Sequence, residues 1–394
     1  MSVTVDRTLI EAAQHIVPVI RDYNAEAERE RRLSKPVLEA LTQAGLLRMF
    51  TPRSLGGLEV DPLTCARVVE EVSAADSVAG WSLFNPLAWA HLCARLPDVG
   101  AEEIFGRHPH AVLAGPFHPP MQAIPVDGGY RVTGRSPFAS NCRDATWVAV
   151  TAMVMDGDNP RLHESGAPEV LAVFFPSEAC EILDTWYVLG MRGTGSDDIA
   201  VHDVFVPRTR TCPLVPEFTP GAHYQGPLYR LPAMGAITAT FPPIVLAIAR
   251  HAIEAVSALA QEKTPFGSTT VLRGRASAQA RLAQAEGALR AARALVYQTL
   301  GEAWERALAG EWPSLAQRAD LLLATATATS SAAKVVELMY NVAGTSGIYT
   351  RNPLERYFRD IQVLKQHGFA SENRYETVGQ VYLGLPPEFA PVAL

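Results

Sequence analysis

The chain has 394 residues, 48% of them hydrophobic and 19% charged, a composition that fits a globular protein of two or three domains and argues against a disordered one. Its net charge of −7, with no basic stripe, argues against a nucleic-acid partner. Five scattered cysteines without a CxxC pair argue against a zinc site or a disulfide frame and suit reduced thiols in the cytoplasm.

The first third reads as helical. Residues 1–6 show no basic segment followed by an apolar run, so no signal peptide is expected. Residues 9–27 carry apolar side chains at helical spacing and run into a charged, solvated stretch, residues 26–32. Ser34 and Pro36 open a short helix that ends near Gly45, and residues 52–57 form a turn. Asp61-Pro62 and Asp76-Ser77 start two further helices, the second carrying Trp81, Phe84 and Trp89 as core residues.

From about Val112 the texture becomes β-like. Asp127-Gly128-Gly129 marks a hairpin turn, and strands are expected at residues 130–134, 147–154 and 170–175. Residues 182–207 read as two strands, one around Trp186 and one through Ile199, Val201, Val204 and Val206, joined by the polar turn Arg192-Gly193-Thr194-Gly195-Ser196. That turn is either an ordinary hairpin connection or a set of donors for an anionic or carbonyl-bearing ligand. Short strands in succession suggest a small antiparallel barrel or sandwich, with residues 156–169 as an exposed loop. After Pro213 a proline-rich linker leads to a helical bundle expected at residues 244–261, 276–309, 315–342 and 354–382, with Gly344-Thr345-Ser346-Gly347 between the last two. The longest apolar stretch, residues 244–249, is too short to span a bilayer, so no membrane partner is expected. The expected architecture is mainly α with a central β domain: helices over 1–111, a β domain over 112–213 and a bundle over 214–394. No Walker loop or GxGxxG after a strand points to the usual nucleotide sites.

Four landmarks in order resemble the acyl-CoA dehydrogenase family over essentially the whole chain. They are Pro52-Arg53-Ser54-Leu55-Gly56-Gly57-Leu58, the Gly190–Ser196 stretch, Pro265-Phe266-Gly267, and Arg356-Tyr357-Phe358-Arg359-Asp360. The resemblance implies a flavin between the β domain and the bundle, and a homotetramer in which flavin contacts cross a subunit interface. The dehydrogenases need a carboxylate base. Here the usual place after the Arg-Asp pair falls at Gly368, and residues 218–253, which carry the alternative place, contain no Asp or Glu.

Gly134-Arg135-Ser136-Pro137-Phe138-Ala139-Ser140-Asn141-Cys142 with Trp147, and Asp360 followed by His367, are instead similar to the flavin-dependent monooxygenase branch, the oxygenase components of two-component systems. That likeness implies reduced FMN or FAD delivered by a separate NAD(P)H-dependent reductase. It also implies O2 adding at flavin C4a and one oxygen atom passing from the hydroperoxide to a small organic substrate, an aromatic one in this reading. By the same resemblance His367 meets the peroxide or takes a substrate proton, and Ser140 is the hydroxyl on the N5 side of the flavin. Phe138, Asn141, Cys142 and Trp147 line the isoalloxazine, Trp147 by packing on it. Thr194, Gly195 and Ser196 line the flavin or substrate mouth, Arg192 binds the cofactor or only braces the hairpin, and Phe266 is a further cofactor contact; the turn with Gly344 and Thr345 receives an adenylate from a neighbouring subunit or is an ordinary turn between helices. Asn141 stands where Gly is usual and Ser136 where Trp is frequent. Arg359 and Asp360 read as a structural ion pair, and His118, beside Pro119-Pro120, as a candidate substrate contact. Two rivals remain at this stage: an acyl-CoA dehydrogenase with a displaced base, and a non-catalytic flavin-binding relative.

Overall fold

Asp6 accepts the Thr8 N–H on its side chain and opens helix α1, Arg7–Glu30. Helices α2 (Lys35–Gln43), α3 (Pro62–Ala75), α4 (Ser77–Leu92) and the short α5 (Asp98–Ala101) follow in this computed structural model, which describes residues 5–106, 110–117, 120–163 and 166–394. Asp61 and Asp76 cap α3 and α4 through backbone N–H groups, as the sequence signals imply. Every residue of α4 is buried, so it is a central helix with no solvent face.

Strands β1 (Leu113–Ala114), β2 (Met121–Val126), β3 (Gly129–Ala139), β4 (Trp147–Asp156), β5 (Asn159–Pro160), β6 (Val170–Pro176), β7 (Glu181–Leu183), β8 (Asp197–Pro207) and β9 (Thr211–Pro213) form one sheet in the order β7-β8-β3-β2-β4-β6-β9. The sheet is mixed and open, correcting the expected antiparallel barrel. The β2–β3 hairpin is antiparallel, but β4 lies parallel to β2 and to β1, and β7 and β9 end the order without pairing to each other. Two further expectations change. Residues 156–169 include β5, which pairs antiparallel with the end of β4, and beyond it an Arg161–Glu169 ion pair at 2.6 Å. Trp186 lies beyond β7 in an irregular connection, where the Thr185 and Trp186 N–H groups both donate to Asp197 Oδ1 at 3.0 Å. Asp197 thus satisfies backbone that a strand partner would otherwise serve.

The bundle consists of α6 (Ala233–Glu262), α7 (Ala276–Leu308), α8 (Leu315–Ala343), α9 (Pro353–Leu364) and α10 (Asn373–Tyr382). The first begins well before the expected residue 244 and carries Pro242 and Pro243 inside it. Proline inside a helix costs about 3 kcal/mol or more, and nearly continuous burial from Ala233 to Ala249 offsets it. By length and apolarity α6 would suffice to cross a membrane, yet most of that window is buried against its neighbours α3, α4, α7, α8 and α9. The last expected helix is two helices, broken over residues 365–372. That break carries His367 against Trp81 of α4 and Phe241 of α6.

Candidate active site

Ser140 follows the bulged end of β3, Thr194 and Ser196 precede β8, and Trp81 lies on α4. Their side chains form one hydrogen-bonded chain. The Trp81 indole N–H donates to Ser140 Oγ at 2.9 Å, Ser140 and Ser196 hydroxyls meet at 2.7 Å, Ser196 and Thr194 at 2.7 Å, and Thr194 donates to the Met191 carbonyl at 2.8 Å. An indole only donates and a carbonyl only accepts, so each hydroxyl proton points toward Met191. Ser140 therefore spends its proton on Ser196 and keeps a lone pair. It offers an acceptor to a ligand N–H.

The backbone around this chain is set by left-handed residues. Asn141 has φ +59° and donates its N–H to the Thr194 carbonyl at 2.8 Å, so Asn serves where Gly is usual. A register shift between Ser136 and Ala139 coincides with φ +67° at Phe138 and leaves that ring 62% exposed beside Trp186. Ser136 is fully buried in β3.

His367 meets the other end of Trp81. Its ring lies 5.2 Å from Trp81, 5.7 Å from Phe84, 5.2 Å from Phe241 and 5.6 Å from Phe369, centroid to centroid. Phe369 continues this wall to Phe117, which is stacked on Trp89 at 4.2 Å. The residue as a whole is half-buried, while the imidazole itself is enclosed by rings. That burial lowers its pKa from 6.5 to about 4, with no carboxylate raising it. The Phe369 N–H points at Nδ1 from 3.4 Å, which leaves Nε2 to carry the proton of the neutral ring. Among the described residues Nε2 has no partner.

Not every residue singled out in the sequence joins this cluster. Trp147 is 4% exposed in the core, with the Arg210 guanidinium 5.2 Å from its ring centre. Burial pushes the Cys142 thiol up to about 12, and its sulfur lies 3.8 Å from the Gly195 carbonyl. Arg192 donates to the Val188 carbonyl at 3.0 Å, the bracing alternative. Arg359 pairs with Glu28 and Glu355 rather than with Asp360, because neighbouring helical residues point about 100° apart. His118 lies outside the described residues.

Phe266, Gly344 and Thr345 do come together, in a separate groove of about 320 Å³ that also includes Lys263, Arg275 and Arg281. The Phe266 ring is fully exposed. No acid lines the groove, and among the described residues Arg275 and Arg281 have no carboxylate partner. Sequence reasoning missed Trp81 as a donor, the ring wall of Phe84, Phe241 and Phe369, and these three cations. The Trp81–Ser140 contact joins residues 59 apart, and no local pattern announces it.

The arrangement fits a flavin. Ser140 presents a hydrogen-bond acceptor of the kind a reduced ring's N–H would need, Phe138 stands exposed nearby, and an acid-free cationic groove suits a pyrophosphate. Among the described residues no His, Cys, Asp and Glu cluster fits a metal.

The acyl-CoA dehydrogenase N-terminal domain family matches residues 7–103 and the C-terminal domain family matches residues 239–372. Indole-3-acetate monooxygenase of Pseudomonas putida is 33% identical over 364 residues, 92% of this chain and 90% of that protein. The flavin-dependent monooxygenase oxygenase subunit HsaA of Mycobacterium tuberculosis is 27% identical over 97% of this chain and 96% of its own. XiaF from Streptomyces sp., solved in complex with FADH2 and glycerol, superposes with a TM-score of 0.87 at 25% identity, covering 96% of each chain.

Proposed function

We infer how this chain works from one premise: it belongs to the acyl-CoA dehydrogenase family, in the flavin-dependent monooxygenase branch. It is an oxygenase component, and the proposal concerns its substrate, its partners and the residues that serve it. Bound reduced flavin supplies two electrons, so that one atom of O2 enters the substrate and the other leaves as water. Ser140 accepts a hydrogen bond from the N5–H edge of the ring, and the Ser196–Thr194–Met191 chain fixes the direction of its own proton.

His367 stays neutral near pH 7 and donates from Nε2 toward the oxygen to be transferred. An imidazole with a pKa near 4 is too weak a base to take a substrate proton efficiently at that pH. Trp81, Phe84, Phe241, Phe369 and Phe117 exclude water and present ring faces and edges, which suits a small aromatic substrate. The Pseudomonas putida relative is named for such a compound, indole-3-acetate.

The Lys263–Arg275–Arg281 groove favours FAD over FMN. The adenylate and pyrophosphate of a flavin held mainly by a neighbouring subunit would enter it, and the assembly is a homotetramer. A separate NAD(P)H-dependent reductase delivers the reduced flavin.

One observation carries the oxygenase reading. The His367 ring, which stands beside the place of a dehydrogenase base, is surrounded by aromatic rings with no carboxylate acting on it. The test is anaerobic mixing of the oxidised-flavin complex with a panel of acyl-CoA thioesters. No bleaching is expected, and bleaching by any thioester would refute the assignment.

A further inference from the structure

Asp360 joins three elements that meet at the candidate site. Its carboxylate is fully buried on α9; Oδ1 accepts the Met191 N–H at 2.6 Å and Oδ2 accepts the Ser77 hydroxyl at 2.7 Å. Arg356 balances the charge, standing 3.5 Å from Asp360 and 2.7 Å from Asp76, the cap of α4. One side chain thus ties the first residue of α4 and the connection before β8 to the bundle.

Both tied segments lead into the candidate site. Ser77 starts the helix that carries Trp81 one turn later. The Met191 carbonyl receives the Thr194 hydroxyl at 2.8 Å and the Trp186 indole N–H at 3.2 Å. Met191 is held left-handed at φ +54°, a conformation that non-glycine residues avoid. At Gly190 an added Cβ would stand 2.5 Å from the Arg359 backbone, so the connection lies directly on α9. Seven residues beyond Asp360, past the end of α9, comes His367, with its ring 5.2 Å from that of Trp81.

We propose that Asp360 is a positioning residue: it sets the register between His367 and the Trp81–Ser140–Ser196–Thr194 chain, so that the two reach the flavin together. The inference rests on reading that chain as the flavin's hydrogen-bond anchor. It differs from a purely structural ion pair because one of the two bonds to Asp360 holds the backbone that orients the chain.

The test is the affinity for reduced flavin, read anaerobically by quenching of tryptophan fluorescence, alongside the melting temperature. Four proteins are compared: wild type, Asp360→Asn, Gly190→Ala and Glu70→Gln. The last breaks the Glu70 contacts with Arg293 and Tyr297 between α3 and α7, away from these residues. Asp360→Asn and Gly190→Ala should weaken flavin binding at least tenfold well below their melting temperatures, while Glu70→Gln lowers the melting temperature and changes affinity less than twofold. If Asp360→Asn does not fold, Ser77→Ala removes one bond only and should weaken binding about threefold. Affinities within twofold of wild type in the folded variants, or an equal loss in Glu70→Gln, would overturn the proposal. Wild type failing to bind reduced flavin would instead overturn the monooxygenase reading.

Discussion

In the chain from Trp81 to Met191 every donor already has an acceptor, whereas beside Phe266 the Arg275 and Arg281 guanidinium groups face no carboxylate among the described residues. The first region is finished before a ligand arrives. Its dipoles need no reorganisation during reaction, which is how fixed hydrogen bonds contribute most to rate. The second is unfinished, an open groove whose two guanidinium groups would be neutralised by an entering anion. The first region is therefore expected to serve both the binding and the chemistry of the flavin ring, the second only the affinity for the rest of the cofactor.

The largest effect should come from His367→Ala. Product formation should fall about 100-fold or more, the usual scale for a lost proton-handling group, while reduced-flavin affinity changes less than threefold. Loss of both in equal measure would show that His367 holds flavin rather than oxygen. Next, Arg275→Ala and Arg281→Ala should each weaken FAD roughly ten- to hundredfold, as charged hydrogen bonds of about 1.5–3 kcal/mol imply, and leave FMN within twofold. Equal effects on the two flavins, read by equilibrium titration, would remove the adenylate assignment.

A pH series comes third. His367 and His91 both have pKa values lowered from 6.5 to about 4 by burial. Between those values the unfolded chain binds more protons than the folded one, so stability falls as pH drops from about 6.5 toward 4. The urea midpoint should fall across that window, and less steeply in His91→Gln. Enzymatic turnover should show no inflexion at 6.5 attributable to His367. The smallest effect is expected for Trp81→Phe, which keeps a ring against His367 but removes the donor to Ser140. It should cost about 1 kcal/mol in unfolding free energy and free the Ser140 proton to turn toward the ligand, weakening reduced flavin a fewfold. An unchanged affinity would mean that the direction of the chain is immaterial.

Much of this architecture was legible in residue order. Caps at Asp61 and Asp76, the change to alternating residues after Val112 and the long Ala-rich helices gave the helix–sheet–helix plan because they are local signals. What failed was set by tertiary burial. Pro242-Pro243 would end an exposed helix, so α6 was begun too late and Phe241 was missed as part of the wall around His367. The segment around Trp186 has strand-like residues, yet Asp197 takes its N–H groups and holds it irregular. His367, Ser140, Thr194 and Ser196 are singled out only by family likeness. Their arrangement was not legible, since Trp81 and Asp360 reach them across large sequence separations.

The central claim is that His367, kept neutral in an acid-free ring of aromatics, steers oxygen into substrate. Its most direct test is the fraction of reduced flavin recovered as hydrogen peroxide when the complex meets O2 with and without small aromatic compounds. With at least one such compound, wild type should divert oxygen from peroxide into product while His367→Ala returns nearly all of it as peroxide. The same peroxide yield in both proteins, whatever aromatic compound is present, would contradict it.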